Sequence, residues 1–361
     1  MLIDHISTKM TLFFILYGIT GVVPFIAAVY LLLRRGNAFA PDVTPPLRLR
    51  RWAASFFAAS TLGHVWWYLF YIYSRDIHSA SYVSVAILDC SEMLITITGT
   101  LLAMLQDRKR PVWPAFLAII PFLVLEVLEI LYPDNLFMYI ATGYIFSLYV
   151  LFSVYMVFAV RQYGRWLNDN YADLENKKVW LSQVVSLVFL LFFILYELVD
   201  TFIILLYFLH VIELVFFCLL LWRVETLPQL TPPILTQQVP AIPINIDLNK
   251  IERLLAEHCV DTQLYLQHDL TLQQLAQAIG TNRSYLSQYF SRQGINYNTY
   301  INNLRINYFI SRYHEAIAAG QPIIAQQLAN DSGYHSYSTF SRAFMQRTGQ
   351  SVTAWVRQNK Q

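Results

Sequence analysis

The chain has 361 residues, of which 56% are hydrophobic, 16% aromatic and only 13% charged, about half the charged fraction of an ordinary soluble domain. That balance excludes a single soluble enzyme, and the length allows two or three domains at ~150 residues each. The net charge of +2 is uneven: residues 271–361 carry eight Lys or Arg against Glu315 and Asp331, which leaves −4 for the first 270 residues.

Apolar runs at 11–33, 52–73, 82–105, 112–132 and 136–160 are each long enough, at 1.5 Å per residue, to cross a hydrocarbon core of ~30 Å. A sixth run, 180–222, would be about 65 Å long as one helix. Glu197 and Asp200 sit near its middle, so it is divided by a tight turn near 198–201 into spans at 180–198 and 201–222. Seven spans place the termini on opposite sides. The loops at 34–51, 106–111 and 161–179 hold twelve Lys or Arg, whereas the opposite side holds only Lys9 and Arg75. The positive-inside rule then puts the N-terminus outside and the C-terminus in the cytoplasm. Trp52, Trp113, Trp180 and Trp222 fall at the cytoplasmic ends, as an interfacial belt requires. The first span is too long for a cleaved signal, and Arg34 and Arg35 follow it instead of preceding it. Cys90, Cys218 and Cys259 are odd in number and widely spaced, so neither a disulfide framework nor a C-x-x-C metal pair is implied, and a reducing compartment fits.

Domain 1–223 is thus expected to be a seven-span bundle. A spacer follows at 224–246, where Pro228, Pro232, Pro233, Pro240 and Pro243 cluster; their density favours extended chain over a continuous signalling helix. Residues 247–361 read as short soluble helices, opened by Ile251, Leu254 and Leu255. In this tail Thr271 is an N-cap and Gly280 a left-handed stop for the segment between them. The next segment, 281–290, turns Leu286, Tyr289 and Phe290 inward. Small Ala276 lets the two helices approach and Gly280 allows the turn between them, which is helix-turn-helix logic. The pattern recurs 53 residues later: Gln326-Gln327-Leu328-Ala329 echoes Gln273-Gln274-Leu275-Ala276, and Gly333 follows Ala329 as Gly280 follows Ala276. Two such units, near 271–292 and 323–346, on a basic segment indicate DNA binding. The expected fold class is all-α: a seven-helix transmembrane bundle followed by a soluble all-α double helix-turn-helix domain.

The residues Leu275-Ala276, Gly280, Tyr285-Leu286-Ser287 and Phe290 form the first unit's signature. The second unit's is Leu328-Ala329, Gly333-Tyr334, Ser338, Phe340-Ser341-Arg342, Phe344 and Gly349, with Leu304-Arg305-Ile306 between the two. Over roughly 267–361 the tail resembles the AraC/XylS family of bacterial transcription regulators. The resemblance implies two recognition helices on one rigid helix, entering successive major-groove segments of one DNA face. Three positions depart from the family pattern: Val352 replaces a usual proline, Tyr334 a commoner phenylalanine, and Ser332 an apolar residue.

On recognition helices, side chains opposite the apolar face meet base edges and flanking basic residues meet phosphates. This selects Arg283, Ser284, Ser287 and Gln288 in the first unit, and Ser336, Tyr337, Ser338, Thr339 and Arg342 in the second, with Arg347 on phosphate. Arg305 is expected to tie the connecting helix to its neighbours. So few basic side chains in 283–360 favour a homodimer or paired sites. Double-stranded DNA and membrane lipid are the expected partners, with RNA polymerase added as a partner of a transcription regulator.

Ionisable groups within spans cost at least ~2.5–3.5 kcal/mol each on insertion scales. Here they are Asp89, Glu92, Glu126, Glu129, Glu197, Asp200 and Glu213, with His64 and His210. Four pairs share i, i+3 spacing and hence a face, and all lie in the outer half of the bundle. His64, Asp89, Glu92, Glu126, Glu129, His210 and Glu213 form a candidate outward-opening sensor pocket for a small cationic ligand or a proton. Glu197 and Asp200 are placed at the interface. The alternative is that these groups only hydrogen-bond neighbouring helices. Phosphate loops, nucleophile elbows and zinc-ligand motifs are missing from the sequence, so catalytic residues, cofactors and metal are not expected. The leading function is a membrane-anchored one-component regulator in the bacterial inner membrane. A transporter or intramembrane enzyme with a regulatory tail is the alternative, and its sign would be broken helices in matching halves.

Overall fold

The computed structural model describes residues 8–34, 36–74, 80–132, 136–198, 203–230 and 248–359. Among them every regular element is helical, as the composition and periodicity predict, with one isolated bridge between Tyr171 and Thr271. Two compact units result. One comprises Met1–Arg161 and Val179–Pro232, the other Gln162–Lys178 and Pro233–Gln361.

The first unit contains α1 (Thr8–Leu33), α2 (Leu47–Tyr73), α3 (Ala80–Met104), α4 (Trp113–Leu131), α5 (Leu136–Asn170) as far as Arg161, α6 (Trp180–Leu198) and α7 (Ile203–Thr226), the rest of α5 being assigned to the second. Among the described residues, five segments are long and apolar enough to cross a membrane: Thr11–Leu33, Ala80–Met104, Trp113–Leu131, Leu136–Asn170 and Tyr207–Thr226. Two ends differ most from expectation. α2 starts at Leu47, directly after the N-cap Pro46, because prolines there end the preceding chain and the fixed φ favours a helix start. α5 runs to Asn170, past the expected end at 160, since residues 161–170 contain no helix breaker beyond Gly164. The expected turn at 198–201, the side chains of Glu197 and Asp200, and most of the proline-rich spacer lie outside the described residues.

Close approach in this unit depends on small residues. A Cβ on Gly63 of α2 would lie 2.3 Å from Asp89 Oδ1 on α3, and one on Gly99 of α3 would lie 2.1 Å from the Trp52 ring on α2. Phe189 of α6 stacks on Phe216 of α7 at 4.0 Å, and Phe56 meets Phe216 and Phe217 edge-on. Buried Glu225 at the end of α7 accepts the Tyr30 hydroxyl at 2.9 Å and lies 3.6 Å from Arg50, which joins α1, α2 and α7. Buried Gln183 of α6 donates to the Leu101 carbonyl of α3 at 3.0 Å.

The second unit comprises α8 (Leu248–Leu255), α9 (Leu272–Ala278), α10 (Arg283–Arg292), α11 (Tyr297–Ala318), α12 (Ala325–Asp331), α13 (Tyr337–Thr348) and α14 (Val352–Gln358). Side-chain caps start most of these helices. Thr271 accepts from the Gln274 N–H, and Gln274 reciprocally accepts from Thr271, a full capping box. Asn282, Asn296, Ser336 and Ser351 each accept from the N–H three residues on.

Two cores flank α11. Leu275, Ala276, Leu286 and Phe290 pack with Ile301 from its first half, while Phe340, Phe344 and Val352 pack with Ile306 and Phe309 from its second. The three departures from the family pattern are absorbed within this packing. Ser332, buried, donates to the Leu328 carbonyl at 2.7 Å, Tyr334 packs edge-on against Phe340 at 5.3 Å, and Val352 joins the second core. Arg305, fully buried between the cores, donates through Nε to the Tyr265 carbonyl and through a terminal nitrogen to the Gln267 carbonyl, each at 2.7 Å. Burial lowers its pKa, opposed by Tyr334 and Tyr297.

Candidate nucleic-acid interface

Each helix-turn-helix unit is built the same way: a short helix (α9 or α12), a left-handed glycine (Gly280, φ +68°, or Gly333, φ +88°), and a second helix capped by a polar residue. The inward positions of α10 are Leu286, Tyr289 and Phe290, and those of α13 are Phe340, Ala343 and Phe344. The period of 3.6 therefore turns Ser284, Ser287 and Gln288 of α10, and Ser338 and Arg342 of α13, outward, and all five are exposed, as is Arg347.

Two of the expected contact residues also serve the fold. The Ser336 hydroxyl accepts from the Thr339 N–H at 3.2 Å and so caps the start of α13. Tyr337 lies half-buried with its ring 5.7 Å from Phe340, because the first turn of α13 needs an apolar lid over its core.

Arg283 and Thr339 are placed on the outward faces, but both are engaged by the segment 162–178 of the same unit. Arg283 Nε donates to Asn170 Oδ1 at 2.7 Å and the Thr339 hydroxyl donates to Glu175 at 2.9 Å. Burial lowers the Arg283 pKa, while Tyr171 and Asp169 act in the opposite direction. Ala172 N–H donates to the Leu270 carbonyl at 3.3 Å, Asn298 donates to the Tyr171 and Ala172 carbonyls at 3.1 and 2.6 Å, and Lys177 donates to Asp269 at 3.1 Å. Burial raises the Asp269 pKa, but Lys177 and His335 outweigh it and hold the carboxyl below its usual value. No feature of 162–178 read from sequence announced this role, since its charges were accounted for by membrane topology.

In the first unit, the candidate pocket divides. His64 of α2, His210 and Glu213 of α7 converge, with Asp89 of α3 within electrostatic reach of His64 and Glu213. Two residues of α1, Thr20 and Tyr17, complete the group and were missed, because a threonine and a tyrosine in an apolar run carry no distinguishing pattern. Glu126 and Glu129 are buried on α4, where Glu129 accepts the Met138 N–H at 3.1 Å and caps the start of α5. Glu92, half-buried on α3, lies one turn from Asp89.

A family model described as a helix-turn-helix domain, of the AraC type, matches residues 275–358. No curated protein and no solved structure matches the chain. The matched region begins inside α9 and ends at the last residue of α14, so it takes in both helix-turn-helix units and the helix between them. The C-terminal domain belongs to the AraC/XylS class of DNA-binding domains, and the protein is a DNA-binding regulator.

Proposed function

We propose that the protein is a membrane-anchored one-component transcription regulator of the bacterial cytoplasmic membrane. A seven-span sensor bundle has its N-terminus outside, and a cytoplasmic tail, expected to act as a homodimer that recruits RNA polymerase, reads double-stranded DNA. The reading is carried by one observation: two capped recognition helices with exposed polar faces share the single helix α11. It is a binding protein and not an enzyme. A transporter would need interrupted spans, whereas α1 and α4 continue through Pro24 and Pro121.

The test separates base reading from phosphate contact. Gln288→Ala is expected to cost ~1–3 kcal/mol on the preferred duplex and to relax preference at one adenine. Arg347→Ala is expected to weaken all duplexes alike and to reduce the slope of log affinity against log salt by about 1. Anisotropy titrations on a selected and a scrambled duplex, at several salt concentrations, distinguish the two. Variants that behave identically to wild type on both duplexes overturn the assignment of these helix faces.

A further inference from the structure

We propose that the bundle binds one divalent first-row transition-metal ion between α2 and α7, through His64, His210 and the Glu213 carboxylate. This deepens the sensor reading and rests on it only for the ion's role. The sequence lacks a zinc motif because the ligands are dispersed over two helices far apart in the chain. His64 Nε2 lies 3.8 Å from Glu213 Oε2, and His210 Nδ1 lies 3.4 Å from the same oxygen. These separations are long for hydrogen bonds, yet they are close to the ~3.3 Å ligand-to-ligand edge of a tetrahedral site with 2.0–2.1 Å metal bonds.

The proton count leads to the same conclusion. His64 Nδ1 is 2.8 Å from the Ser60 carbonyl, so that nitrogen carries the hydrogen and Nε2 presents a lone pair, the arrangement typical of metal-bound histidine. Nε2 is 2.9 Å from the Thr20 hydroxyl, which also lies 3.4 Å from His210 Nδ1 and within hydrogen-bond distance of the Leu16 and Tyr17 carbonyls. One hydroxyl proton thus faces several acceptors, and with an ion on Nδ1 the His210 ring hydrogen sits on the buried Nε2. A cation at the centre of the group resolves this surplus of lone pairs. Its charge is balanced: Glu213 and the neighbouring Asp89 neutralise a divalent ion, which a buried site requires. Two imidazoles and a carboxylate favour a first-row transition ion over calcium or magnesium. Three protein ligands leave a position open, so the ion is exchangeable, as sensing requires.

The test uses the chelator-stripped full-length protein in nanodiscs, titrated with cobalt(II) and followed by its visible ligand-field bands. One equivalent should bind with tetrahedral-type bands that zinc abolishes, and His64→Gln, His210→Gln and Glu213→Gln should each weaken binding at least tenfold while eluting as wild type. Absence of saturable bands, including the case in which the histidines only titrate with pH, overturns the site. So do correctly folded variants that bind as wild type. A saturable site whose occupancy leaves duplex affinity unchanged keeps the metal centre and overturns its sensing role.

A second inference stands on independent contacts in the other unit. We infer that residues 162–178 form an autoinhibitory strap over the DNA-reading face. Asn170 and Glu175 take the hydrogen bonds that Arg283 and Thr339 would otherwise offer to a duplex, and Asp169 lines a pocket with Ser287 and Ser291 beside them. The strap is fixed through its backbone at Tyr171 and Ala172 and through Lys177, whereas Lys178 lies beside Arg342 with a like charge. Strap and DNA therefore compete for the same donors. The full-length Asn170→Ala/Glu175→Ala variant should bind a duplex selected from a random pool at least tenfold more tightly than wild type. Saturating duplex should also make 171–178 of the wild type more sensitive to protease. Unchanged or weaker binding, a lowered melting temperature that reveals a purely structural segment, or unaltered proteolysis each overturns the strap. Failure of both wild type and variant to select any duplex overturns the DNA-binding reading as well.

Discussion

Replacing Arg305 with alanine is expected to abolish specific duplex binding and to destabilise the C-terminal domain by about 3–5 kcal/mol, the range for breaking a buried charged group's contacts. The Arg305 side chain, with no solvent exposure, satisfies two backbone carbonyls ahead of the first helix-turn-helix unit, Tyr265 and Gln267. Its guanidinium also lies 5.4 Å above the Tyr334 ring of the second unit, so one residue holds both units to α11. Alanine orphans both carbonyls at about 1–3 kcal/mol each and leaves a cavity in place of a long side chain. Lysine can reach only one carbonyl and lacks the planar fork, so Arg305→Lys should fall between wild type and alanine. Differential scanning calorimetry of the full chain should show the domain transition lowered by roughly 10 °C or more for alanine. If Arg305 touched DNA instead, affinity would fall with no change in that transition.

The C-terminal half was legible because its signals are local. Thr271 three residues before Gln274 is a capping box in sequence and in structure, and the spacing of Leu286, Tyr289 and Phe290 marks the buried side of α10. Helices occur at the apolar runs of the first unit, and five of them are long and apolar enough to cross a membrane among the described residues. What the sequence withheld is tertiary. The i, i+3 rule grouped Glu126 with Glu129 correctly on one face, but it could not distinguish a carboxylate that caps α5 from one that faces His64. Equally, Asn170 and Glu175 look like ordinary loop residues until the fold brings them to Arg283 and Thr339, which are 113 and 164 residues away in sequence.

The two turn glycines show how far a repeat can mislead, and they supply the second large effect. In sequence Gly280 and Gly333 are equivalent, each four residues after an alanine. Both adopt positive φ, so alanine at either costs about 1–2 kcal/mol for the left-handed backbone alone. Their surroundings differ. Around Gly280 an added Cβ meets nothing within 4 Å, whereas at Gly333 it would lie 2.7 Å from the Leu266 carbonyl oxygen and 2.9 Å from Arg305 Nε. Neither neighbour can retreat, since one is backbone and the other is pinned by its two hydrogen bonds. Overpacking of this kind adds about 1–3 kcal/mol, so Gly333→Ala should cost roughly 2–5 kcal/mol and disturb Arg305, while Gly280→Ala stays near 1–2. Asparagine, which tolerates left-handed φ, separates the contributions. Gly280→Asn should melt close to wild type and keep duplex binding, and Gly333→Asn should be no better than Gly333→Ala. Equal losses at the two positions would mean that backbone strain alone sets the cost, and that the second unit is not seated against the Arg305 bridge.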